Sequence, residues 1–346
     1  MTTITVAVPS FSRPNELREL IESVLDADEL PDELLICEDR SPLRDEIAAV
    51  VDSYREAFAA TACRLSYVEN EQNLGYDGNI RNLFQQASSD YVLILGDDDV
   101  IYANTIAESR RFIDAHPGIA FISRTYSRFS ASPRDIINTT WLRGEDCVVD
   151  PSNSTPNLVF RLCGFVGGLI VKRDWANDKA TTRYDGSLYY QFYLACLAYY
   201  ETGIGYIFAS IVGGRAGNPP LFGSAEHEKD VHIPGSYRPK GRAKMWAGLL
   251  RIAADVDALG HAGLYHSMRN EIAGRQSFHI FEMMPVQGRK ATLELFCELR
   301  RLRLTHKLLP WLLTTFICVF GSYAGLGFAL FRKLQFSIEG GIGVKM

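Results

Sequence analysis

The first hundred residues alternate between short apolar runs and helical periodicity, which restricts the chain to few folds. Ile4–Val8 is a compact apolar run closed by Pro9. Leu17, Leu20, Ile21, Val24 and Leu25 then recur at the spacing of one helix face, with Pro14 in the first turn where its missing N–H costs nothing. Glu33–Cys37 is a second strand. Ile47, Val50, Val51, Tyr54 and Phe58 mark a second helix, and Arg64–Val68 a third strand. A turn at Asn73-Leu74-Gly75 leads into a helix carrying Ile80, Leu83, Phe84 and Ala87, then a fourth strand at Tyr91–Leu95. Strands separated by helices imply parallel pairing with right-handed crossovers, hence an α/β fold. No G-x-G-x-x-G follows the first strand and no G-x-x-x-x-G-K-[ST] occurs, which disfavours a dinucleotide fold and a P-loop.

The fourth strand ends in Gly96 followed by Asp97, Asp98 and Asp99. Three adjacent carboxylates repel one another unless a cation or hydrogen-bond donors absorb the charge. Ligands bind at the carboxyl ends of strands in open α/β sheets. Hard oxygen donors there suit Mg²⁺ or Mn²⁺, ions that commonly carry a substrate's phosphates. The plain alternative is a solvated acidic turn or a helix N-cap.

Downstream, a helix is expected at Thr105–Ala115 and a strand at Ile119–Ser123. Residues 125–160 are polar and read as a long excursion on the acceptor side. Phe165–Val171 resumes the sheet, and its paired glycines imply close backbone approach. A helix start is expected at Ser187, with Leu188, Phe192, Ala195 and Tyr199 on one face. Ile204–Val212 is a strand leading into the glycine- and proline-rich loop Gly213–Pro220. The pattern is helical from about Gly241. His227, His232, His261 and His266 lack ligand spacing and read as structural or surface groups. The reading divides the chain into 1–104 and 105–225 as two halves of one sheet domain, a helical region 226–303 and an apolar segment 304–334.

Leu308–Phe331 contains 24 residues without charge, long enough as a helix (about 36 Å) to cross a bilayer. Gly321, Gly325 and Gly327 also suit close helix packing, and a re-entrant hairpin, an interfacial helix pair and a buried oligomer helix are the alternatives. Six Lys and Arg against two Glu over 289–307 would face anionic lipid. The net charge of −5 argues against nucleic-acid binding. Seven Cys without Cys-x-x-Cys read as buried hydrophobes in a reducing compartment. The N-terminus lacks the features of a secretory signal, so the cytoplasmic face of the plasma membrane is the expected location.

Four stretches in order resemble a family 2 glycosyltransferase with a GT-A fold, over about Thr3–Gly217. They are Ile-Thr-Val-Ala-Val-Pro-Ser-Phe-Ser-Arg, Leu-Leu-Ile-Cys-Glu-Asp-Arg-Ser, Asn73–Asn82 and Leu95-Gly96-Asp97-Asp98-Asp99. The Gly-Asp-Asp-Asp form is similar to that of O-antigen and surface-polysaccharide transferases of the abequosyltransferase type. The resemblance implies that a nucleoside-diphosphate-sugar donor is held by Pro9, Ser10, Phe11, Arg13, Asp39, Asn73, Gly75, Asn79, Asp97 and Arg215. It implies a divalent metal at Asp97, Asp98 and Asp99, although Gly96 stands where the family often has Asp. It further implies an inverting transfer to a glycan or lipid-linked glycan. The family's Glu-Asp pair that supplies the base is missing. Asp185 is the candidate in its place, with Asp174, Asp178 and Glu201 in reserve. Two other readings stand beside this one. A sugar-1-phosphate nucleotidyltransferase uses a similar sheet, but its Gly-rich basic loop is absent. A membrane-anchored sugar-nucleotide scaffold would explain the missing pair.

Overall fold

The computed structural model describes residues 2–229, 232, 237–261 and 263–339. The first half is built as the alternation requires: β1 (Ile4–Ser10), α1 (Pro14–Leu25), β2 (Glu33–Glu38), α2 (Arg44–Ser53), α3 (Arg55–Ala59), β3 (Arg64–Glu69), α4 (Gly75–Gln86) and β4 (Tyr91–Ile94). The single helix expected through Phe58 is interrupted at Tyr54, giving α2 and α3. Next come β5 (Val100–Ile101), α5 (Thr105–Ala115), β6 (Phe121–Phe129), β7 (Ile136–Thr140), β8 (Cys147–Val149), α6 (Asn157–Cys163), β9 (Leu169–Lys172), α7 (Arg173–Asp178), α8 (Tyr190–Glu201) and β10 (Ile204–Arg215). The C-terminal helices are α9 (Pro239–Asp257), α10 (Leu264–Glu271), α11 (Ser277–Phe281), α12 (Gly288–Arg301), α13 (Leu308–Phe320) and α14 (Ala324–Glu339).

The strands form one ten-stranded sheet of order β3-β2-β1-β4-β9-β6-β10-β5, with β7 against β6 and β8 against β10. The β3-β2-β1-β4 portion is wholly parallel. Beyond it the sheet is mixed: β9 runs antiparallel to β4 and β6, while β6 and β10 are parallel. Residues 1–104 and 105–225 therefore share this sheet. Strands β1, β2 and β4 are buried almost throughout, because helices cover both faces. One apolar core lies under α1, α2 and α5, and the other under α4, α6, α8 and the C-terminal helices.

Strand order reverses between β1 and β4. Crevices open at the carboxyl ends of strands at such a switch point, and here it lies between Ser10 and the acidic triplet.

Three further sequence expectations are corrected. Residues 125–160 are not a free excursion: β6 runs on to Phe129, β7 pairs back on it and β8 joins β10. Helix α8 starts at Tyr190 rather than Ser187, because Leu188 takes a left-handed conformation (φ 63°). The buried Asp77 carboxylate accepts hydrogen bonds from Leu188 N (2.8 Å) and Tyr190 N (2.9 Å) at this start. Last, Leu308–Phe331 is long and apolar enough to cross a membrane, but it is not one straight helix. Gly321 breaks it (φ 58°, ψ −132°) into α13, a short 3-10 turn and α14.

Candidate active site

Strand β1 delivers Pro9 to Arg13 and strand β4 delivers Gly96 to Asp99 to one edge of a cleft. The turn into α4 supplies Asn73, Gly75, Tyr76 and Asn79, and β2 supplies Asp39. The segment after β10 closes the far side with Arg215, Pro220–Phe222, Ser224 and Glu228. Of the donor-binding and metal residues expected from sequence, all but one line this cleft. The exception is Ser10, which is buried beside it with a hydroxyl that has no hydrogen-bond partner.

The acidic triplet is largely neutralised by protein groups. Asp97 accepts from Phe11 N (2.8 Å) and from the Arg13 guanidinium (2.9 Å). Burial nevertheless raises its pKa to about 6, with Arg13 opposing the rise. Asp98 meets the same Arg13 nitrogen at 3.2 Å and accepts from the Asn218 amide at 2.9 Å. Asp99 accepts from Arg215 N, and burial holds its carboxyl far above the usual range. A Cβ on Gly167 would stand 2.3 Å from an Asp99 oxygen, so the first of the two glycines foreseen in the sequence approaches Asp99, while Gly168 faces Val212 and Arg124. The buried Arg124, whose own pKa burial lowers to about 10, adds a cation nearby. Its guanidinium donates to the carbonyls of Phe165 and Gly167.

The opposite wall is a hydrogen-bonded amide and carboxylate network. Asp39 accepts from Leu74 N (2.8 Å), Gly75 N (3.0 Å) and Asn70 Nδ2 (2.8 Å). Burial raises Asp39 to about 6 despite these donors. Asn73 Oδ1 accepts from Gly75 N, and Asn79 bridges Asn70 and the Cys37 carbonyl. Gly75 sits at φ +70°, where a side chain is strained, and a Cβ there would lie 2.6 Å from Glu228 Oε1. Glu228 is 1 % exposed and accepts from Tyr76 N (2.9 Å) and Gly223 N (2.7 Å). With Asn218 on Asp98 and Arg13 on the Pro219 carbonyl (2.7 Å), it straps the post-β10 segment across the cleft.

Two sequence candidates are engaged elsewhere. Asp185 is not part of the cleft lining: both its oxygens accept from Arg81 (2.6 and 2.9 Å), fastening the 181–186 turn to α4. Arg215 lines the cleft, but its guanidinium is held by Glu19 (2.5 Å) and stacked 4.7 Å over Phe129. Of the reserve carboxylates, Asp174 pairs with Arg173, and Glu201 holds Lys179 and Trp175. Glu228, Arg124, Asp77 and Asn218 escape sequence reading. Glu228 meets its Tyr76 partner across 152 residues of chain, and nothing local marks it.

Among the described residues, no three His, Cys, Asp or Glu side chains form a cage that could hold a metal alone. The donor set still fits a Mg²⁺-type ion. Such ions need only one or two carboxylates when a substrate's phosphates complete the shell, and the Asp98 carboxylate lines the cleft.

Residues 5–168 match glycosyl transferase family 2. The abequosyltransferase RfbV of Salmonella typhimurium is 24 % identical over 195 residues, 54 % of this chain and 58 % of that protein. The poly(ribitol-phosphate) beta-N-acetylglucosaminyltransferase TarS of Staphylococcus aureus is 29 % identical over 119 residues, 34 % of this chain and 20 % of that protein. The matches thus span less than two thirds of either relative. The structure of TarS residues 1–349 with UDP-GlcNAc superposes with a TM-score of 0.55 at 14 % identity, covering 92 % of this chain and 91 % of that one. The likeness shows the GT-A-like fold.

Proposed function

Because residues 5–168 match glycosyl transferase family 2, we propose that the chain transfers a sugar from a nucleoside-diphosphate-sugar donor to a glycan of a bacterial surface polysaccharide. The observation that carries this is the meeting of Asp97–Asp99 with the Asp39–Asn73–Gly75–Asn79 wall across one cleft at the switch point of the sheet. RfbV is an abequosyltransferase and TarS a poly(ribitol-phosphate) beta-N-acetylglucosaminyltransferase, which supports sugar transfer, and TarS structures with UDP and UDP-GlcNAc support a nucleoside-diphosphate-sugar donor.

Pro9, Phe11, Arg13, Asp39, Asn73, Gly75 and Asn79 hold the nucleoside side of the donor in this reading. Asp98, with Asp99 behind it, would hold a divalent ion, which when bound would supply positive charge against the departing diphosphate. Arg13 and Asn218 bracket Asp98 and keep its carboxylate oriented. The strap from Asn218 to Glu228 excludes water from the bond being broken. Inversion is the stereochemistry the family resemblance implies, and it needs a carboxylate to take the acceptor proton. The Arg81 pairing supports a fastening role for Asp185. It could serve as base only after parting from that guanidinium. A lipid-linked acceptor on the cytoplasmic face is proposed from the apolar C-terminal helices.

The test is release of nucleoside diphosphate from a panel of sugar nucleotides, with surface-glycan fragments as acceptors and Mn²⁺ present. The reading expects acceptor-stimulated release with one donor class and a product of inverted anomeric configuration. Donor binding without release across the panel would favour a scaffold, and pyrophosphate release from a nucleoside triphosphate would favour a nucleotidyltransferase.

A further inference from the structure

Over residues 308–331 the two last helices present apolar surface on every side. Their inner faces are packed on the protein body: Pro310, Thr314 and Ile317 are buried on α13, and Phe328 of α14 packs against Phe278 at 4.9 Å between ring centroids. Their outer faces are equally apolar and uncovered. Leu308, Leu312 and Val319 on α13, Tyr323 in the turn, and Leu326 and Leu330 on α14 are 55 to 76 % exposed. A helix that is apolar all round belongs in a core or in lipid, and an exposed patch of this kind marks an interaction site.

The geometry argues against a simple span. Helix α13 has 13 residues, about 20 Å, against a hydrocarbon thickness of about 30 Å. Near the middle of the apolar stretch the chain turns at Gly321, and the Arg289 guanidinium donates to the Val319 carbonyl (3.2 Å) at that turn. A straight span would pull this point, and the cation beside it, toward the bilayer centre. Beyond the turn α14 folds back on α13: the Phe316 and Phe328 rings lie 6.1 Å apart, and a Cβ on Gly327 would stand 2.6 Å from Phe316. Glycine at position 327 is thus what lets the elbow close.

We propose that the α13–α14 elbow is a monotopic dock that enters one leaflet of an anionic bilayer without crossing it. This deepens the membrane-side location proposed above and rests on it for context, but not on the transferase activity. Charge complementarity identifies the occupant. Arg289, Lys290, Arg300, Arg301, Arg303 and Lys307 flank the elbow, all exposed, in a chain whose net charge is −5. Each cation near an anionic surface contributes about 1 kcal/mol, a factor of about five in partition. The apolar outer face then supplies insertion, as in interfacial helices.

The test is flotation of the purified full chain with vesicles of phosphatidylcholine, alone or mixed with phosphatidylglycerol. It is paired with protease access to a C-terminal epitope tag in inverted membrane vesicles. The wild type is expected to float with the anionic vesicles. R300Q/R303Q should weaken that binding about 30-fold at an unchanged melting temperature, and L312E/L326E should abolish it. The tag should be cleaved from the same side as the catalytic body. A tag protected inside the vesicles would show a span and overturn the proposal. So would a wild type that ignores both vesicle types and sediments as a dimer dispersed by L312E/L326E, since a second copy would then cover the face. Flotation needs no sugar nucleotide, so failure of the dock and failure of the transferase reading are told apart by measuring donor binding on the same preparation.

Discussion

Replacing Glu228 is the sharpest way to ask whether the post-β10 segment is held across the cleft. Its carboxylate is buried and accepts from two backbone N–H groups, Tyr76 at the start of α4 and Gly223 in the segment itself. Glu228→Ala leaves both donors without a partner. Each orphaned buried donor costs about 1–3 kcal/mol, so the variant should lose about 2–6 kcal/mol. Glu228→Gln keeps one acceptor oxygen and turns an NH₂ toward the other donor, so about half that loss is expected. At about 2 °C per kcal/mol for a chain of this size, the melting temperature should fall about 4–12 °C for Ala and about half as far for Gln. If the cost is local rather than global, it appears instead as faster hydrogen exchange of the Tyr76 and Gly223 amides. Sugar-nucleotide affinity should fall in the same order, because Pro220–Phe222 form part of the cleft wall. Unchanged melting together with unchanged Tyr76 exchange in Glu228→Ala would refute the strap.

Three further outcomes follow from the site. Gly75→Ala places a side chain at φ +70° and within 2.6 Å of Glu228 Oε1, so its urea midpoint should drop by the equivalent of about 1–3 kcal/mol. Asp185→Asn should lower the melting temperature by a few degrees, through loss of the Arg81 pair, and change turnover less than about tenfold. A loss near a thousandfold at unchanged melting would instead make Asp185 the base. Asp39 is raised to about 6 in the folded chain, above its ordinary value of about 4. The folded state therefore binds the extra proton, and this contribution to stability is full below about pH 4 and lost as pH rises through about 6. Urea unfolding in that window should show stability falling with pH, with a shallower fall in Asp39→Asn.

Much of this was legible because it is local. The β-α alternation and the carboxylates closing β4 are written in consecutive residues, and parallel pairing follows from them. The acidic triplet also announced that something must absorb its charge, but not what does. Arg13 was within reach of sequence reasoning, while Arg124 stood just past the strand expected at Ile119–Ser123 with nothing local to mark it. Residues 125–160 misled because β7 is half polar and largely solvated and β8 is only three residues long, so neither shows the apolar alternation that marks a strand. Asp185 sits at the turn the resemblance points to, but its bond to Arg81 lies 104 residues away in sequence. Charge-free length alone reads 308–331 as one helix. Gly321 separates the two readings only once its backbone angles are known.

The measurement that bears most directly on the central claim is thermal stabilisation of the full chain by a panel of sugar nucleotides, with Mn²⁺ or with EDTA, in wild type and Asp98→Ala. A donor at about 100 times its dissociation constant stabilises by about 2.7 kcal/mol, which a melting curve resolves. The account predicts a Mn²⁺-dependent shift for one donor class that disappears in Asp98→Ala, while the variant itself still folds. A flat panel, or a shift indifferent to both EDTA and Asp98→Ala, would contradict a metal-assisted donor site at the end of β4.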